Sequence, residues 1–136
     1  MSGPVKCFGD LWKSLCQQDA ELVALVGTSI YEHHVSESSG VVHPAASLHV
    51  PEEAKDSGIW KGAAQMDAWA SSKDVASRIA ARFEAIFRKE NLTQMPSGMG
   101  IKVKALVFLG RFDAGKEAET GQYHKGSRWA IAWTEE

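Results

Sequence analysis

Phe8, Leu11, Trp12, Leu15 and Cys16 recur at the spacing of one helical face, with Lys13, Ser14, Gln17 and Gln18 between them. That pattern predicts an amphipathic helix near the start of the chain. Asp19 is placed to cap a second, short helix over Ala20 to Val26. Gly27 ends it, because glycine accepts the left-handed conformation at a helix C-terminus. Ile30-Tyr31 begins an extended segment. From Glu32 to Pro44 periodicity is lost, and the run Ser-Glu-Ser-Ser-Gly predicts a mobile loop. Ala45 to Val50 reads as a short strand ended by Pro51, and Glu52 to Gly58 as a polar turn. Trp60 to Ala70 reads as a longer strand, its alternation blurred by Gly62 and the alanines.

The next pattern is the clearest. Ser71-Ser72-Lys73-Asp74 offers a capping box with Ser71 as N-cap and Asp74 as the returning carboxylate. Ala76, Ile79, Ala80, Phe83, Ile86 and Phe87 then form one apolar stripe, with Arg78, Arg82, Arg88 and Lys89 away from it. A helix from Ser72 to about Asn91 follows, closed by the breaker segment Met95 to Gly100. Val103, Ala105, Val107 and Leu109 alternate with Lys102, Lys104, Leu106 and Phe108, a strand with both faces partly covered. In a last strand Tyr123, Ser127, Trp129, Ile131 and Trp133 share one face; His124, Gly126, Arg128, Ala130 and Ala132 share the other. The order predicts one α+β domain over residues 1–136, a mainly antiparallel sheet of four or five strands against two or three helices.

Composition narrows the function classes. With 136 residues, 44% apolar and 24% charged, the chain suits one globular domain with a real core. A net charge of −2 does not favour nucleic acid or an anionic membrane as the main partner. No stretch reaches the ~20 apolar residues of a membrane span, and the first residues hold no signal-like apolar run. The expectation is a chain that starts in a cytosol. Cys7 and Cys16, set about 13.5 Å apart if they share a helix, are expected to stay reduced.

The sequence holds one tempting motif. Gly110-Arg-Phe-Asp-Ala-Gly115-Lys116 follows an apolar strand and has the spacing of a phosphate-binding loop. The residue after Lys116, however, is Glu117, where such a loop needs a hydroxyl for Mg²⁺. No long apolar-faced helix follows to supply amides to a phosphate. The stretch reads instead as a glycine-rich connection between two strands. Histidines 33, 34, 43, 49 and 124 lack any ligand spacing, and His33 and His34 point apart on an extended chain. There is no nucleophile elbow. Asp67 and Glu84 could be imagined as paired acids, but any globular chain offers such pairs. Trp12 belongs to a core helix face, and Trp129 and Trp133 to a core or subunit face. Trp60 and Trp69 lie on opposite faces of one strand, so at least one meets a helix or a neighbouring subunit.

Three ordered stretches carry a resemblance. They are "LWKSLCQQDAELVALVGTSIY", "MDAWASSKDVASRIAARFEAIF" and "ETGQYHKGSRWAIAW". Together, on a chain of this length, they resemble the tail terminator, or tail completion, proteins of long-tailed bacteriophages and prophages. The chain departs from that pattern at His43-Pro44-Ala45-Ala46, where the family often has Leu-Pro followed by a bulky residue. The resemblance implies a non-enzymatic virion protein at the head-tail junction, without cofactor or metal. It implies a ring, usually of six copies, that caps the tail tube, stops its growth and meets a head-completion protein. Genomic DNA passes through the lumen without specific binding. The residues expected at subunit, tube or connector contacts are Trp60, Trp69, Glu32, His33, His34, Glu37, Arg111, Asp113, Lys116 and Glu117. Two alternatives stay open: another neck or tube-like virion protein, and a small metalloenzyme using His43, His49 and His124.

Overall fold

A computed structural model describes residues 6–32, 41–88 and 100–136. Helix α1 (Phe8–Gln18) and helix α2 (Ala20–Val26) come first, then a two-residue strand β1 (Ile30–Tyr31). Strands β2 (Ala45–Asp56) and β3 (Ile59–Ala70) form a hairpin, followed by helix α3 (Lys73–Phe87). Strands β4 (Ile101–Lys116) and β5 (Tyr123–Glu135) form a second hairpin. The sheet order is β1-β2-β3-β5-β4, antiparallel throughout except for β1 alongside β2. This is the α+β fold expected from the order of patterns.

The helices cover one face. Phe8, Leu11, Trp12 and Cys16 of α1 and Ala76, Ile79, Phe83, Ile86 and Phe87 of α3 are buried against Met66, Ala68, Trp129, Ile131 and Trp133 of the sheet. Each helix buries the stripe its 3.6-residue period defines. Asp19 caps α2 by accepting the Leu22 N–H at 3.0 Å, and the same carboxylate takes a two-pronged bond from Arg82 of α3 at 2.9 and 2.7 Å. One residue thus ends α1 with its backbone N–H on the Cys16 carbonyl, and its side chain starts α2 and fastens it to α3.

Several boundaries differ from the sequence reading. The N-cap of α3 is Ser72, not Ser71; its hydroxyl accepts from Val75 N–H at 3.4 Å. Asp74 then falls too early to close a box and pairs with Arg78 at 3.0 Å instead. β2 does not stop at Pro51. The register shifts between His49 and Glu52, so proline's missing N–H falls where the ladder is already interrupted. Glu52 to Asp56 are strand, and the turn is only Ser57-Gly58, both at positive φ. Expected features over residues 33–40 and 89–99, including most of the Glu32 to Pro44 loop and the Met95 breaker, lie outside the described residues.

β4 holds the largest revision. It continues through Gly110 to Lys116, with register shifts after Val103, Phe108 and Asp113. The glycine-rich connection expected after Gly110 therefore shrinks to Glu117–Gln122. Each shift resets alternation. Val103 pairs with Trp133 on the helix side, but beyond the first shift Leu106 and Phe108 take that side and Val107 turns away. Gly126 of β5 is dictated by close approach: a Cβ there would collide with the Met66 carbonyl of β3 and sit 2.9 Å from the Phe112 ring.

Candidate functional site

The sheet face away from the helices has its own buried centre. Alternation along β3 puts Asp67 and Trp69 on that face, and the register sets Trp69 opposite His124 and Asp67 opposite Ser47. The Asp67 side chain is fully buried, and His124 Nε2 lies 2.6 Å from its Oδ1. Gln65 also donates to that oxygen at 2.7 Å. Trp69 stacks on the imidazole with ring centres 3.7 Å apart and donates its indole N–H to Ser47 at 3.0 Å. Phe112 meets the imidazole edge-on at 5.1 Å, and Arg128 covers Phe112 in turn. Tyr31 and Val41 pack over Trp69 and Ala45. A carboxylate–imidazole pair could serve proton transfer, but here Trp69 and Phe112 pack against the imidazole and the Asp67 side chain is fully buried. The arrangement fastens β2, β3, β5 and β4 together on their uncovered side.

The residues expected at contacts separate sharply. Trp69 is fully buried, so it belongs to this centre and not to a surface. Trp60 is half-buried near the far end of β3, stacked on Trp133 at 5.7 Å, with Lys55 over its ring. Arg111, Asp113 and Lys116 lie on a strand, not on a mobile loop. Arg111 forks onto Glu84 of α3 at 2.6 and 2.9 Å, which pushes the guanidinium pKa further up. Asp113 accepts the Gly115 N–H at 2.9 Å, which holds its carboxyl below the usual range, with Lys125 at 3.6 Å adding to the effect. Lys116 lies over Tyr123. Glu117 opens the turn, its carboxylate 4.0 Å from His124 Nδ1. Glu32 is exposed. His33, His34 and Glu37 lie outside the described residues.

Glu84, Arg111, Asp113 and Lys125 ring a groove of about 400 Å³ between α3 and the β4–β5 hairpin, lined as well by Ala80, Ala81 and Gly126. The Asp67–Glu84 pairing fails, because Asp67 lies on the outer face of the sheet while Glu84 bonds Arg111 on the helix side. Burial holds the His43 pKa down, and among the described residues no three of His, Cys, Asp and Glu converge as a metal site. Burial also pushes the Cys16 thiol well above its ordinary value, and Cys7 less far; both are free thiols. Among the described residues no helix is long and apolar enough to cross a membrane.

Comparison with solved structures shows a likeness of fold. A chain described as "Virion of native gene transfer agent (GTA) particle" superposes with a TM-score of 0.57 at 17% identity, over 90% of each chain. The two share a fold. No protein-family profile matches the sequence, and no curated protein matches it. At this identity the likeness concerns architecture alone.

Proposed function

We propose that this chain is a structural protein of a phage-like virion. In this reading six copies close into a ring on the head-proximal end of a tail tube, stop its growth and offer a docking face to a head-completion protein. The observation that carries it is the shared architecture, over nine-tenths of both lengths, with a chain of a virion particle. The three stretches that resemble tail terminators support it, because they are the stretches that build α1–α2, β3–α3 and β5. A ring needs a heterologous contact that closes. Six modest contacts to a six-fold tube then act as one strong one through effective concentration. The two long hairpins suit this role, since they project residues with little cover from the helices. DNA crosses the lumen without specific contacts, in keeping with the near-neutral charge.

Electron microscopy of purified tail tubes with and without the protein tests this reading. Tubes with the protein should end in a cap at one end and stop elongating. A protein that leaves tube length unchanged and decorates neither end would overturn it. The location of the density also separates the terminator from its nearest rival, since another neck or tube protein would sit at the head vertex or along the tube. Alanine substitution at His43, His49 or His124 should leave capping intact in whatever fraction folds, whereas a metalloenzyme would lose its activity.

A further inference from the structure

The sheet is open at both ends. β4 pairs on one side only, with β5, and among the described residues no strand runs along its other side. At the opposite end β1 pairs only with Ala46 and Ser47 of β2, and among the described residues no strand runs along that side of β2 from there to Asp56. Open edges are templates for pairing with another chain. These two edges differ in charge. β4 carries Lys102, Lys104, Arg111 and Lys116 against one acid, Asp113. The outer part of β2 reads Pro51-Glu52-Glu53-Ala54-Lys55-Asp56, exposed throughout, with acids in excess.

Natural edges are often guarded by lysine, proline and bulges, and both edges here have some of these. Guarding does not account for Val107 and Leu109, which are 52% and 61% exposed in the middle of β4. Two β4 strands brought together would set like charges side by side. An acidic edge meets no such repulsion.

We propose that β4 of one copy pairs with the outer part of β2 of a second copy, extending the sheet head to tail from subunit to subunit. The proposal rests on the ring reading above and names the contact that would close the ring. Strand direction permits it. β4 runs antiparallel to β5, β5 to β3 and β3 to β2, so β4 and β2 point opposite ways. A neighbour placed beside β4 with its helices on the same side therefore presents β2 in the antiparallel sense. Glu52 to Asp56 would supply about 17 Å of ladder. Such a contact leaves one unpaired edge at each end of any open string of copies, and only a closed ring pairs them all.

The test uses three full-length proteins: wild type, the Lys102→Glu/Lys104→Glu variant and the Glu52→Lys/Asp56→Lys variant. Sedimentation is followed over a concentration series, with melting curves to show that each is folded. Wild type should form a closed oligomer, and each variant alone should run at the 14.8 kDa monomer mass. An equimolar mixture should recover the oligomer, because alternating copies restore opposite charges at every contact. A bis-maleimide test on a Cys7→Ser background adds the geometry: Val107→Cys should link to Ala54→Cys on another copy and not to itself. Variants that assemble like wild type, or a Val107–Val107 link, would overturn the edge pairing while leaving the ring reading standing. Wild type that stays monomeric throughout would overturn the pairing too, and the tube-capping experiment would then judge the ring on its own.

Discussion

Replacing Asp67 with alanine tests what holds the uncovered face of the sheet together. The carboxylate is fully buried, its partner His124 is 9% exposed at the side chain, and their atoms are 2.6 Å apart. Solvent therefore screens little of the interaction. Asp67→Ala removes that bond and the one from Gln65, and leaves the imidazole edge facing a small void. Removing one member of a buried pair of this kind costs about 3–5 kcal/mol, a large share of the ~5–15 kcal/mol that holds a domain folded. For a chain of this size the melting temperature should fall by roughly 10–20 °C. The assay is urea and thermal unfolding of wild type, Asp67→Ala, His124→Ala and the double variant. The double variant should lose much less than the sum of the singles, with a coupling of about 1.5 kcal/mol or more. His124→Phe, which keeps a ring against Trp69 but cannot bond Asp67, should fall between wild type and His124→Ala. Singles that each lose under about 1 kcal/mol, or strictly additive losses, would refute the claim that this pair fastens the strands.

Gly126→Ala should destabilise by about 3 kcal/mol, the upper part of the range for overpacking, because the obstruction is the Met66 backbone. Gly121→Ala, with open space but a φ of 70°, should cost only about 1–2 kcal/mol; urea unfolding compares the two. Asp19→Ala removes the α2 cap and both bonds from Arg82, so a loss of about 2–3 kcal/mol is expected, and Arg82→Lys should recover only part of the bridge. Cys16 should resist thiol reagents until the protein unfolds, since burial keeps it protonated. The folded thiol holds its proton more tightly than the unfolded one, so above about pH 9 the unfolded chain binds fewer protons and stability falls as pH rises. Cys16→Ala should flatten that fall when unfolding is measured at successive pH values.

What could be read from residues alone was local. α1 and α2 follow from a 3.6-residue stripe, an aspartate and a glycine that all act within one helical turn. The faces of β5 were legible too, because no bulge interrupts Trp129, Ile131 and Trp133 against β3. β4 was not, since each register shift swaps the sides of everything after it, and a shift depends on the partner strand. Pro51 misled for the same reason: its missing N–H matters only if the ladder needs it there. Two adjacent serines made the α3 cap ambiguous by one residue. The His124–Asp67 contact joins residues 57 apart, and no spacing rule reaches that far. Alternation placed His124 on a face of its own strand; only the register that sets Trp69 opposite His124 brings the imidazole to Asp67. Among the residues expected at contacts Trp69 is fully buried; a half-apolar, half-polar aromatic looks alike in sequence whether it meets water or a histidine ring.

The enclosed centre on the outer face sits at one end of the strands only. Near Asp67 and Trp69 the sheet is a filling between two covers, while toward Ser57 and Gly58 the β2–β3 ribbon is exposed or only half-buried. Amide protons along β3 should therefore exchange on a graded timescale, slowest from Ala64 to Ala70 and fastest from Ile59 to Gly62. The same strand is an anchored beam at one end and a compliant arm at the other, able to bend to a curved neighbour while its root stays fixed.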